Sequence, residues 1–241
     1  MTNINQVLQI AQRELGVKEL GNSNIVKYGE WYGHNLNGQS WCAMFVSYCL
    51  YNAGIQLHIE TEKGFHYTPN GAKWFKEQKR WFKDPLPGDI VFFDWQNETD
   101  LIPGAANHVA FFIAKTKKGQ IITIDGNNPP DDNSNGGEVR YQIRPLDFTV
   151  MGFGRPAYTN TIAEPLPLVN GSNLSSLTTG EDIRVWQKRM IARGYDFGTS
   201  GADGVFGRRS KKVLEEFQQK LGFKVSGELD VLSWQAAWTA I

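Results

Sequence analysis

The chain has 241 residues, with 25 Lys+Arg against 25 Asp+Glu, four His and two Cys. Charged residues at 21% and hydrophobic ones at 41% describe an ordinary globular protein of one large or two modest domains, not a disordered chain. A formal charge of zero argues against a general polyanion binder such as a nucleic-acid protein. Two cysteines cannot build a disulfide framework, and no Cys/His cluster has zinc-finger spacing. No apolar run approaches the roughly 20 residues that a bilayer span needs, so no membrane insertion is expected. The start, MTNINQVLQIAQREL, lacks a basic segment followed by an apolar one. The expectation is synthesis in the cytoplasm without a signal peptide.

In chain order, Ile4, Leu8, Ala11 and Leu15 recur at helical spacing and predict a first helix that Gly16 ends. A second helix is predicted from about Trp41 to Ala53, with Phe45, Val46, Cys49, Leu50 and Ala53 inward and Gly54 as its stop. A third is expected around 72–79, with Asn70 as cap. After Pro87-Gly88 the period changes. Segments 89–95, 108–114, 120–125, 139–143 and 151–158 are short, rich in Val, Ile and Phe, and bounded by Gly, Pro or Asn. Lys117-Lys118-Gly119 reads as the hairpin turn between the second and third of them. Helices followed by an antiparallel sheet give an α+β layer for residues 1–158.

From Thr159 to Thr179 the chain reads TNTIAEPLPLVNGSNLSSLTT, almost uncharged and rich in Ser, Thr, Asn and Pro. Residues 159–178 are therefore assigned to an extended linker, and 179–241 to a small three-helix domain. That domain nearly repeats itself: Ile183, Trp186 and Met190 form one stripe closed by Gly194-Tyr195, and Val213, Phe217 and Leu221 another closed by Gly222-Phe223. In each, Gly is expected in the left-handed conformation with the next aromatic packed back on the last turn. A turn-rich loop, 202–207, joins them, and a last helix follows Asp230.

Cys42 falls where the second helix should begin, facing the positive end of the helix dipole and unpaired backbone N–H groups. Both favour thiolate, and the same N–H groups can hold a developing oxyanion. The bland alternative is a small buried apolar residue, the reading that fits Cys49. Seven helical residues separate the two cysteines by about 10 Å, too far for a disulfide. His34, His58 and His66 read as solvated loop residues, whereas His108 opens a strand after the small residues 103–107 and can look over a sheet edge. Asp125, at the end of the adjacent strand, can orient that imidazole, and Asn127 can add polar support. A strand-end turn is the alternative for both. Three elements each deliver a suitable residue at an element end, which favours a thiol hydrolase.

The segments Trp41-Cys42-Ala43-Met44-Phe45-Val46, Pro87-Gly88-Asp89-Ile90-Val91-Phe92-Phe93, Asn107-His108-Val109-Ala110 and Ile124-Asp125-Gly126-Asn127 resemble the CHAP amidohydrolase/peptidase family, papain-like relatives of the NlpC-type wall hydrolases. The resemblance implies a papain-like domain with Cys42 as nucleophile, His108 as base, Asp125 as orienting acid and Asn127 nearby. Many relatives carry Glu at the third position. Gln39 is the candidate side chain for completing the oxyanion hole. Residues 179–190, 201–207, 213–217 and 226–230 resemble the peptidoglycan-binding domain 1 family. There Asp203 and the glycines are expected to determine the fold. Together the two resemblances imply a phage-type endolysin acting on bacterial peptidoglycan, as a muramoyl–L-alanine amidase or a stem- or bridge-peptide endopeptidase. No metal or organic cofactor is required, and delivery would fall to a holin or a secretion system. An injected effector of the same chemistry, a non-catalytic wall-binding protein and an amidase of small amides are the alternatives.

Two weaker signals are set aside. Residues 131–136 begin like a calcium loop, but the twelfth position is Gln142, not a bidentate Glu, so a solvated loop is expected. Trp74, Trp81 and Trp95 are read as core or as groove lining, core being commoner.

Overall fold

A computed structural model describes residues 4–95, 105–116, 118–128, 137–147, 149–158, 179–221, 223 and 225–239. The stretch read as a linker, 159–178, the calcium-like segment 131–136, Lys117 of the expected hairpin turn and Gly222 lie outside them. The chain divides into two compact units, residues 1–114 with 119–163, and residues 164–241 with 115–118. Among the described residues no helix is long and apolar enough to cross a membrane.

Among its described residues the first unit begins with the helices α1 (Ile4–Arg13), α2 (Lys27–Tyr32), α3 (Cys42–Asn52) and α4 (Thr68–Glu77). Six strands follow: β1 (Trp81–Phe82), β2 (Ile90–Phe93), β3 (His108–Lys115), β4 (Ile121–Asn128), β5 (Glu138–Arg144) and β6 (Val150–Gly154). They form one sheet in the order β1-β6-β2-β3-β4-β5. The α+β class read from the sequence is the observed one, with β3 beside β4 as the hairpin requires.

Burial explains the helices. Ile4, Val7, Leu8 and Ala11 put one apolar stripe of α1 inside. In α3 the burial runs all round: Cys42 through Ser47, Cys49 and Leu50 are all buried. This helix is the centre of the unit, and it reaches the sheet because of one glycine. A Cβ on Gly126 of β4 would lie 2.7 Å from the Cβ of Phe45 and 2.8 Å from the ring of Trp41. Only a residue without a side chain lets α3 settle onto β4 at that point.

The helix around 72–79 starts four residues earlier than predicted, at Thr68, and Asn70 is not its cap. Pro69 is tolerated in a first turn, where its missing N–H has no intrahelical partner to lose. Thr68 Oγ1 donates to the Ala106 carbonyl, and Asn70 Nδ2 donates to Glu60 Oε1 at 2.8 Å. Two elements, α2 and β1, have no counterpart in the sequence reading. The six residues of α2 are too few to show a period, and its Tyr28 and Tyr32 are held by tertiary contacts. The two residues of β1 pair with Phe153 and Gly154 of β6. The last strand ends at Gly154, before the predicted 158, because Arg155 turns to make two 2.8 Å bonds to the buried Asp89.

The second unit holds α5 (Glu181–Ala192), a 3-10 turn (Gly198–Ser200), α6 (Arg208–Leu221) and α7 (Val231–Thr239). Ile183, Trp186 and Met190 of α5 and Val213 and Phe217 of α6 are buried, as their spacing predicts, whereas Leu221 at the end of α6 is only half-buried and Leu214 is the buried leucine of that helix. Gly194 takes φ 88°, and the Tyr195 N–H reaches the Met190 carbonyl at 3.0 Å. The Tyr195 ring packs edge-on against Phe217 of α6, at 5.9 Å, so it ties the two helices together.

The near-repeat extends to hydrogen bonding. Gln187 Nε2 donates to Asp203 Oδ1, the Val205 carbonyl and Ser210 Oγ, while its Oε1 accepts from the Gly204 N–H. Gln218 Nε2 donates to Ser226 Oγ, the Glu228 carbonyl and Ser233 Oγ, while its Oε1 accepts from Ser226 N–H and Gly227 N–H. Each glutamine is 1% exposed and supplies the buried partner that a turn and the following helix start need.

Gln187→Ala and Gln218→Ala will each destabilise the second unit by about 2 kcal/mol or more, because buried N–H and carbonyl groups lose their partners. Denaturant unfolding of the full chain followed through tryptophan fluorescence checks this. Gly126→Ala will destabilise the first unit by about 1–3 kcal/mol through overpacking under α3. Wild-type stability for that variant would show that α3 yields without cost.

Candidate active site

The start of α3 is fixed from below. Trp41 occupies the N-cap position, its carbonyl accepting the Phe45 N–H at 2.9 Å, and no side chain caps the helix. The Trp41 ring is fully buried, stacked on Tyr28 at 5.3 Å, and its Nε1–H donates to Glu19 Oε2 at 3.1 Å. Cys42 therefore stands on the first turn with uncapped backbone N–H groups around it. It is 4% exposed and unbridged.

His108 opens β3 opposite Phe93 of β2. Its Nε2–H donates to Asp125 Oδ2 at 2.8 Å, and the Cys42 sulfur lies close enough to act on its protonation. With Nε2 taken by Asp125, Nδ1 is the ring atom left for the sulfur. The face of the imidazole is covered by Trp95, whose ring lies 4.4 Å away and nearly parallel. Asp125 is 0% exposed. Its Oδ2 also accepts from Arg144 Nη2 at 2.8 Å and from Asn128 Nδ2 at 3.3 Å, and its Oδ1 accepts from Thr123 Oγ1.

These neighbours set the protonation states. Burial alone would lower the imidazole's affinity for its proton, but the Cys42 sulfur and Asp125 outweigh it and raise His108 to about 9. Burial alone would raise Asp125, but the Arg144 guanidinium and His108 hold it down at about 2. A protonated imidazole thus stands between a sulfur and a carboxylate that stays charged.

The structure brings Cys42, His108 and Asp125 together. Asn127 is placed differently from the expectation. It sits at φ 57° where the β4–β5 register shifts between Asp125 and Asn128. This irregularity breaks strict alternation, and the side chain that reaches Asp125 is that of Asn128. Gln39 lies in the turn before α3, its N–H bonded to the Leu36 carbonyl and its side chain exposed. His34 and His58 are exposed, while His66 is bound through Nδ1 to Glu60 Oε2 at 2.5 Å. Of the three tryptophans weighed, Trp95 covers His108, whereas Trp81 packs on Phe92 and Trp74 on Phe75.

The sequence reading missed Arg144, Thr123 and Asn128. Alternation along β4 puts Thr123 and Asp125 on one face, a signal that was available. Arg144 needed the register, in which it stands opposite Ile121. Among the described residues no group of three or more His, Cys, Asp or Glu is placed to hold a metal ion.

A family model described as CHAP domain matches residues 31–127, and one described as putative peptidoglycan binding domain matches residues 179–236. No curated protein and no solved structure matches the chain. The first match spans Cys42, His108 and Asp125, and the second spans all three helices of the second unit except the end of α7. The chain carries a CHAP domain followed by a peptidoglycan-binding domain, the architecture of a peptidoglycan hydrolase.

Proposed function

We propose that this hydrolase cleaves an amide bond in the peptide part of the bacterial cell wall through a Cys-His-Asp mechanism, in the manner of a phage-type endolysin. The observation that carries the reading is the buried line from Cys42 through His108 to Asp125 at an uncapped helix start.

Cys42 attacks the amide carbonyl carbon while its proton resides on His108 Nδ1. The tetrahedral oxyanion is held by the N–H groups at the start of α3, with Gln39 as the side-chain donor from the preceding turn. As the C–N bond breaks, His108 passes its proton to the leaving amine, leaving an acyl-enzyme. A water molecule, deprotonated by His108, then attacks the thioester and releases the carboxylic acid and the thiol. Asp125 keeps the ring in place through Nε2. The second unit holds the polymer and raises the local substrate concentration for the first. The amide is the muramoyl–L-alanine bond or one within the stem or bridge peptide, and holin-mediated release or secretion delivers the protein to it.

Mass spectrometry of peptidoglycan fragments after digestion tests this. New termini will appear with wild type and be absent with Cys42→Ala, while both proteins co-sediment with the wall. The masses identify the bond. Equal fragment release by the alanine variant would sink the thiol mechanism, and no release by either would leave a wall-binding protein.

The pH dependence follows from His108. The leaving amine needs the imidazolium proton, which is present below about 9 and lost above it. The hydrolysis rate will therefore fall as pH rises through about 9. A rate still climbing at about pH 10 would contradict this assignment.

A further inference from the structure

Asp125 has a second partner that the mechanism above does not use. Arg144 closes a small ring with it. One guanidinium nitrogen, Nη2, donates to Asp125 Oδ2 at 2.8 Å, and the other, Nη1, donates to Thr123 Oγ1 at 2.8 Å. With its lone pair engaged by Arg144, the Thr123 hydroxyl directs its own proton to Asp125 Oδ1. Both carboxylate oxygens are thereby fixed by one planar fork and one hydroxyl. The guanidinium side chain is 17% exposed, and its carbon lies 5.2 Å from the Phe93 ring centre and 5.4 Å from that of Trp95. Trp95 in turn stacks on His108.

Arg144 and His108 donate to the same oxygen, Oδ2. Whatever charge Arg144 draws from that oxygen is withheld from the imidazolium, and the two cations repel. Among the described residues the titratable and charged groups around His108 are few. Cys42 faces it from α3 and Asp125 from β4. From β5 come Arg144 and Arg140, the residue opposite Asp125 in the register. On the β2 side Asp94 stands between Phe93 and Trp95, the two rings that pack on the imidazole.

We propose that Arg144 is a positioning residue of this site. It locks the Asp125 carboxylate in line with His108 Nε2, and it takes up part of the carboxylate charge so that the imidazolium can release its proton. Asp is one methylene shorter than Glu, and a short carboxylate that must meet an imidazole across a strand boundary gains most from such a clamp. The proposal rests on the thiol-hydrolase reading, in which His108 must hand a proton to the leaving amine. It adds what decides how readily that proton leaves: without Arg144, His108 holds it more tightly and is the poorer acid.

The experiment compares wild type, Arg144→Gln and Arg144→Lys as full chains. His108 is titrated directly by NMR of 15N-labelled imidazoles, and the turnover of purified wall fragments is measured across the same pH range. In Arg144→Gln the His108 midpoint will rise by about one pH unit, since a cation sharing its carboxylate is gone. The alkaline limb of the rate profile will rise with it. Turnover near neutral pH will fall about threefold to tenfold, as acid catalysis responds to about one unit of acidity. Arg144→Lys keeps the charge but not the fork, so it will restore the midpoint and recover only part of the turnover. A merely structural arginine would lower turnover without moving either limb or midpoint, and a wild-type midpoint in folded Arg144→Gln overturns the proposal. Should that variant not fold, Arg144→Lys decides: full wild-type turnover in it overturns the clamp. If wild type cleaves no wall preparation, the hydrolase reading fails on its own, while the His108 titration still tests the link to Arg144.

Discussion

A carboxylate removed from water keeps its charge only when donors replace the hydration it has lost, a cost of several kcal/mol otherwise. Asp125, at 0% exposure, is the place where this fold meets that demand. Its donors arrive from three adjacent strands: His108 from β3, Thr123 and Asn128 from β4, Arg144 from β5. The strand order β3-β4-β5 is therefore a condition of the chemistry as well as of the core. A one-residue slip of β5 would turn Arg144 to the other face and leave the charge short of a partner. Cys42 joins from outside the sheet, and it can do so because Gly126, the residue after Asp125, lets α3 come down beside it.

What the sequence disclosed and what it hid follow from the range of each interaction. Cys42 and His108 were readable because each is a reactive residue at an element end, and Asp125 because Gly126 marks it, although β4 runs on past it to Asn128. The α1 and α3 stripes and the Val/Ile/Phe runs of the sheet were readable by period. The order β1-β6-β2 was not, because it pairs segments some 60 to 70 residues apart with nothing local to announce it. Asn128 was passed over for Asn127 because the strand was expected to end at Asp125, and nothing local announces the irregular continuation that brings Asn128 to it. Arg144 carries no local mark, because only the strand pairing puts it against a buried acid.

The two cysteines of α3 show how far position governs a thiol. Cys42 and Cys49 share a helix, and both are buried and unbridged. Cys49 lies in the apolar interior, and burial pushes its thiol well up, so it packs as a small hydrophobe. Cys42 has an imidazolium beside it and the amide groups of a helix start around it. Burial by itself tells nothing of reactivity; the polar company a sulfur keeps within that burial does.

In the second unit, Gln187 and Gln218 carry out from the inside the wiring that surface turns usually arrange for themselves. The backbone groups of Gly204, Val205, Gly227 and Glu228 are tied inward, while the side chains of Val205 and Glu228 face solvent. Those outward side chains make none of these hydrogen bonds. One is an apolar Val and the other an acidic Glu at matching places in two otherwise equivalent turns. Architecture and surface are thus written in separate residues. Such a module can exchange what it shows to a polymer, turn by turn, without renegotiating how it stands.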